Sequence, residues 1–105
     1  MTNEGSGRIF ALPNFNPEVR NSAVVLRRLE AKMPKGGATK LETVGEYAGY
    51  FVIHADRLQS QYPAVWAQAG AAITSSAKDP SSNEKAMAAW FVAFNLLSAA
   101  DLLKK

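Results

Sequence analysis

The chain has 105 residues, of which 48% are hydrophobic and 20% are charged, and its formal net charge is +3. A chain of this size and composition forms one domain with a packed core. It contains no cysteine and one histidine. This excludes disulfides, cysteine nucleophiles, thiolate metal sites and a multi-histidine metal site within one chain, so we expect no bound metal and no cofactor.

The sequence contains no segment that predicts export or membrane insertion. Residues 1–8 are polar and glycine-rich and lack the basic and apolar regions of a secretory signal. The longest apolar run, residues 86–94, is far shorter than the roughly 20 residues that span a bilayer. We therefore expect a small, basic, cytoplasmic protein that does not contact a membrane.

The first element in chain order is an apolar arm. Large apolar side chains lie between Ile9 and Phe15, and Pro13 disfavours a helix there. The arm either docks on the core of its own domain, or reaches a partner or a second copy. We predict that residues 1–15 form a flexible start and this arm, and that residues 16–105 form a single helical domain.

Four helices follow from start and stop signals. Asn16 is suited to cap the first helix and Pro17 to begin it. Thr39 and Glu42 have the spacing of a capping box, which predicts the start of the second helix. The predicted helices cover residues 17–33, 40–61, 63–77 and 82–103. Because no stretch alternates as a strand does, we predict an all-α fold, a compact four-helix array or bundle with an extended N-terminal arm.

Each predicted helix has an apolar seam that we assign to the core. On the second helix the seam is Leu41, Val44, Ala48, Phe51, Ala55, Leu58 and Tyr62. On the fourth helix it is Met87, Trp90, Phe91, Phe94 and Leu97. Two glycines, Gly45 and Gly49, lie within the second helix, where each costs roughly 1 kcal/mol relative to alanine. We expect a neighbouring helix to approach closely there. The alternatives are backbone exposed for a ligand and a local kink.

The face of the second helix opposite its seam has the composition of a recognition surface, because tyrosine and arginine are enriched at interfaces. Its residues are Tyr47, Tyr50, His54, Arg57 and Gln61. We predict that this helix 2 stripe binds a partner, and that His54 titrates near its ordinary pKa of about 6.5. The alternative is that another helix or the N-terminal arm covers the stripe.

The fourth predicted helix is apolar on almost every side. Its second apolar stripe, opposite the seam, consists of Val92, Leu96, Ala99 and Leu103. Either this helix is central in the domain, or the stripe contacts another chain, because a contiguous exposed apolar patch is normally an interface. We predict self-association as a homodimer through this stripe.

Basic residues are concentrated in the first part of the chain, where residues 1–40 carry seven Lys or Arg against three acids. Arg20, Arg27 and Arg28 lie on the predicted outer side of the first helix. This basic patch could contact phosphates, form the rim of a protein interface, or be a solvated face.

No arrangement of residues in the sequence predicts catalysis. His54 has no orienting acid at a suitable spacing, and Gly36-Gly37 does not match a phosphate-binding loop. We therefore predict a non-catalytic helical interaction protein that binds a protein partner as an adaptor, subunit or inhibitor. The alternative is a nucleic-acid-binding accessory protein that uses the basic face of the first helix, and an enzyme ranks third.

Overall fold

A computed structural model describes residues 15–104 of the chain and shows a mixed α/β domain. The elements in chain order are α1 (Pro17–Arg20), β1 (Val25–Lys32), β2 (Ala38–Thr43), α2 (Val44–Ile53), α3 (Ala55–Gln61), α4 (Pro63–Lys78) and α5 (Asn83–Ala99). The prediction of an all-α helical bundle was therefore wrong, because an antiparallel hairpin of β1 and β2 replaces most of the first predicted helix and the start of the second. The predicted N-terminal arm, apart from Phe15, lies outside the described residues.

The first helix begins as predicted but is short. The side chain of Asn16 caps it by accepting a hydrogen bond from the backbone N–H of Val19 at 3.0 Å, and Pro17 occupies the first turn. The helix ends at Arg20 instead of continuing to residue 33. Val19 is buried, so this single turn is anchored on the core.

The hairpin turn contains the two glycines that the sequence suggested as a helix stop. Gly36 and Gly37 have φ values of 98° and 78°, a region that non-glycine residues rarely adopt. The turn brings Lys32 opposite Ala38 and Leu29 opposite Leu41. The ladder is irregular between Val25 and Leu29, where four residue steps on β1 match two on β2.

The C-terminal residues extend the sheet on the other side of β1. Ala31 pairs with Leu103, and the N–H of Lys104 donates to the carbonyl of Glu30 at 2.8 Å. The chain reaches this position because α5 ends in a Schellman motif, in which Asp101 has a φ of 58° and the N–H of Leu102 donates to the carbonyl of Leu97. Hydrogen bonds therefore hold the C-terminal end of β1 on both of its edges.

The capping box of the second helix lies four residues later than predicted. Thr43, and not Thr39, caps α2, and the Glu46 carboxylate accepts hydrogen bonds from the backbone N–H groups of Glu42 and Thr43 at 2.9 and 3.0 Å. These backbone donors, that of Glu42 first, lower the pKa of Glu46. Both Thr-x-x-Glu pairs fit the signal, but the first lies in β2.

The remaining helices lie close to their predicted positions. The second predicted helix breaks at His54 into α2 and α3, whereas α4 and α5 match residues 63–77 and 82–103 to within a few residues. The helices α4 and α5 pack against each other, and the small side chains Ala89 and Ala93 are fully buried on α5. Small residues allow two helices to approach closely, so the larger residues of α5 are distributed around this contact.

The two glycines of α2 differ in surroundings and give a matched test. A Cβ atom on Gly45 would lie 2.6 Å from the backbone oxygen of Arg20, whereas a Cβ on Gly49 would meet nothing within 4 Å. The predicted close approach is thus confirmed at Gly45 alone, where the neighbours are the last residue of α1, Arg20, and Ser22 just after it. We expect Gly45→Ala to destabilise the fold, because backbone must move, and Gly49→Ala to stabilise it by up to about 1 kcal/mol. Urea unfolding of both variants checks this, and equal effects would contradict it.

Candidate functional site

The helix 2 stripe is not an exposed surface. Tyr47 and Tyr50 are 0% and 3% exposed, and the β1–β2 hairpin lies against them. Tyr47 donates its hydroxyl to the carbonyl of Arg27 at 2.5 Å, and Tyr50 donates to the carbonyl of Lys32 at 2.6 Å. Burial raises the pKa of both phenols, to about 12 for Tyr50. The predicted exposure of these tyrosines was wrong, and they serve to attach the hairpin to α2.

The other residues of the stripe lie near the C-terminal end of α5. The Arg57 guanidinium donates to the carbonyl of Ala100 at 2.7 Å and also to the side chain of Gln61 at 3.2 Å. Tyr62 donates to the carbonyl of Ala99 at 3.0 Å. These contacts satisfy the free carbonyls at a helix end, so Arg57 acts as a structural cap. Only Arg57 and Gln61 of the stripe are exposed.

His54 lies at the break between α2 and α3, with its ring 4.6 Å from that of Tyr50. Its Nε2 is buried and has no partner among the described residues. Desolvation, followed by the charge of Arg57, lowers the pKa of His54 below 6.5, so the prediction of an ordinary pKa was wrong. The imidazole is held neutral in the folded chain.

The lowered pKa of His54 predicts a pH dependence of stability. Because the unfolded chain binds this proton more readily, the stability that His54 contributes is fully present above pH 6.5 and is lost as the pH falls towards the lower folded-state pKa. We expect the urea midpoint to fall on acidification below pH 6.5, and the slope to decrease in His54→Gln. An unchanged slope in that variant would contradict the assignment.

The predicted self-association stripe is mainly internal. Leu96 is 0% exposed, while Val92 and Leu103 are partly buried and pack against the same core. Ala99 is exposed. Of the two alternatives, the central position of this helix is therefore the one that the structure favours, and Leu96 is not available to a second chain.

The basic patch does not form one helical face, because Arg27 and Arg28 lie on β1. The Arg28 guanidinium is 3.3 Å from the Glu30 carboxylate, whereas that of Arg27 lies 4.8 Å from the centre of the Trp90 ring. Arg20 is the last residue of α1 and lines a different depression, together with Lys40. The basic face of a first helix, on which the nucleic-acid alternative depended, is thus absent from the described chain.

A concave surface lies between the first half of β1 and the first half of α5. It has a volume of about 720 Å³. Its lining consists of Val25, Leu26, Arg27, Asn83, Ala86, Met87, Ala88, Trp90 and Phe91. Three of these are large apolar residues that face solvent: Val25 is 70% exposed, Met87 71% and Phe91 59%. We call this surface the β1–α5 groove.

Local geometry explains why the groove is apolar and open. β1 and α5 are in contact, but the C-terminal residues fill the space beside β1 only near Glu30 and Lys32. At the other end of β1, Trp90 stacks on Phe94 with ring centres 5.2 Å apart and supports the guanidinium of Arg27. Exposed apolar clusters of this kind mark interaction sites.

Sequence reasoning missed the groove because it assigned Met87 and Phe91 to the core seam. The seam spacing on α5 is correct for Leu97, which is fully buried, but α5 is apolar all round and offers several such seams. The buried face in this part of α5 is marked instead by two small residues, Ala89 and Ala93, which are fully buried.

Other classes of site find little support among residues 15–104. No group of three His, Asp or Glu side chains in this range is arranged to hold a metal ion. No helix in the same range is long and apolar enough to cross a membrane. Comparison with family models, curated proteins and solved structures found nothing similar to this chain.

Proposed function

We propose that the protein is a non-catalytic binding protein that takes a protein partner in the β1–α5 groove. The observation that carries this proposal is the exposure of Val25, Met87 and Phe91 around one concave surface. Leaving large apolar side chains in water forgoes about 1.5 to 3 kcal/mol of burial for each. A partner that covers all three gains that free energy on binding.

The proposal keeps the class of function predicted from the sequence and changes the surface. The proposed binding surface is the β1–α5 groove and not the helix 2 stripe, because Tyr47 and Tyr50 are buried inside the domain. An adaptor, a subunit and an inhibitor would all use such a surface. We place the interaction in the cytoplasm, and the absence of cysteine supports this placement.

Affinity capture with groove variants tests the proposal. We expect Phe91→Lys and Met87→Lys to weaken capture of the partner by about thirtyfold, because a central apolar anchor typically contributes about 2 kcal/mol. Both residues are exposed, so the stability of the free protein should change by less than about 0.5 kcal/mol. Binding curves for the captured protein and thermal melts of each variant are the measurements.

Ile53 provides the matched control, since it is an equally exposed apolar residue on α2, outside the groove. Ile53→Lys should leave capture unchanged. Capture that is insensitive to both groove variants would contradict the proposal. Capture that disappears on nuclease treatment would point to the nucleic-acid alternative instead.

A further inference from the structure

The charge of the groove specifies the chemistry of the partner. We infer that the groove takes a peptide segment of another protein in which apolar side chains stand beside an Asp or Glu. This inference rests on the proposed function and adds the partner's charge to it. Its basis is Arg27, the one charged residue that the described part of the chain contributes to the lining of the groove.

Arg27 is positioned to receive a carboxylate. Its guanidinium lies over the face of Trp90, 4.8 Å from the ring centre, which fixes the side chain at the wall of the groove. No ion pair or side-chain hydrogen bond of Arg27 occurs within residues 15–104, whereas the neighbouring Arg28 is paired with Glu30. A guanidinium carries five N–H donors in one plane, and no hydrogen bond uses those of Arg27 within residues 15–104, so they are available to a planar acceptor.

Among residues 15–104 no acidic residue lines the groove, so no carboxylate of this part of the chain balances the charge of Arg27 there. A neutral apolar segment would bury Arg27 without a partner, and burying an unpaired charge is costly. A basic segment would add repulsion. A carboxylate placed beside the apolar anchors satisfies Arg27 while Val25, Met87 and Phe91 are covered. Met87 also lets the groove adapt to side chains of different shape, because methionine is flexible.

Two other occupants fit the groove less well. The chain's own apolar arm lacks the required charge, because residues 5–16 contain no Asp or Glu and Arg8 directly precedes Ile9. A second copy docked groove to groove about a two-fold axis would bring two Arg27 side chains together. No carboxylate in the lining would separate them.

Peptide arrays test this inference on the full-length protein. The probes are short synthetic peptides rich in Leu, Ile and Phe that also contain Asp or Glu, matched peptides with Asn or Gln at those positions, and matched peptides with Lys. A further probe has the sequence of residues 5–16 of this chain. Binding is followed by the fluorescence of Trp90, which lines the groove, whereas the other tryptophan, Trp66, is buried.

We expect the acidic peptides to bind about tenfold more tightly than their amide counterparts, because a charge-assisted hydrogen bond exceeds a neutral one by about that factor. Arg27→Gln should abolish this preference and leave binding of the amide peptides intact. Arg28→Gln is the matched control and should keep the preference. Phe91→Lys should weaken binding of both sets by about thirtyfold.

The possible failures are distinguishable. An acidic preference that survives Arg27→Gln, or equal binding of acidic and amide peptides, overturns the inference while the proposed function stands. Tighter binding of the 5–16 peptide, or a dimer in light scattering that Phe91→Lys dissociates, overturns it in favour of the arm or a second copy. If no peptide of any set binds, the inference is overturned as well. The proposed function fails only if capture of the natural partner is also insensitive to Phe91→Lys.

Discussion

Replacing Tyr47 by alanine is expected to lower the free energy of unfolding by about 3 to 5 kcal/mol, the range for truncating a buried aromatic residue. The ring is fully buried, and its hydroxyl donates to the carbonyl of Arg27 where the β1–β2 ladder is irregular. The variant therefore leaves both a cavity and a carbonyl without its donor. Urea unfolding followed by circular dichroism measures the change.

Conservative variants separate the cavity from the hydrogen bond. Tyr47→Phe and Tyr50→Phe keep the rings and remove only the donors to the two β1 carbonyls, so each should cost about 1 to 3 kcal/mol. Arg57→Ala should cost less than Tyr47→Ala, because its side chain is exposed. A negligible effect of Tyr47→Ala on the free energy of unfolding would indicate that Tyr47 is exposed. It would contradict the packing of the hairpin on α2.

Replacing Leu96 by glutamate is expected to unfold the chain or to destabilise it by more than about 4 kcal/mol, because an unpaired carboxylate would be placed in the core. Leu96 is fully buried within a single chain. If the residue belonged instead to a subunit interface, the same change would give a folded monomer. Thermal unfolding together with light scattering distinguishes the two results.

The neighbouring residue Asn95 provides the control for Leu96, since it lies on the exposed side of α5. Asn95→Glu should change the free energy of unfolding by less than about 0.5 kcal/mol. A folded, soluble Leu96→Glu protein would contradict the burial of Leu96 within a single chain. That result would favour self-association through the stripe that contains Leu96.

Local signals in the sequence located several elements correctly. Asn16 caps α1 as predicted, and Pro63 begins α4. Both are side-chain effects on the adjacent backbone, which do not depend on the rest of the fold. The last helix, α5, begins one residue later than predicted, because Ser82 is its cap and accepts from the N–H of Lys85.

The hairpin was missed because its sequence satisfies a helical pattern as well. Leu26 and Leu29 have helical spacing, and the glycines after Lys35 end a helix as readily as they form a hairpin turn. The arrangement is decided by long-range contacts, above all the hydrogen bonds from Tyr47 and Tyr50 to β1. Valines before the turn and threonines after it were the local signal for strands.

The candidate site depended on the same error. When residues 17–33 are treated as a helix, the tyrosines of α2 face outwards and Phe91 faces inwards. Once β1 covers the tyrosines, Ala89 and Ala93 are the buried residues in this part of α5, and Phe91 remains exposed beside Arg27. The types of residue in the sequence suggested a binding protein. The proposed binding surface could be located only from the tertiary structure.

Site-specific photo-crosslinking in cells tests the central claim, that the β1–α5 groove binds the partner. A photoreactive amino acid replaces Phe91 in one protein and Ile53 in another, because both side chains are exposed to the same extent. The account predicts a crosslinked product of defined mass from position 91 and none from position 53. A product of the same mass from position 53, with none from position 91, would contradict it.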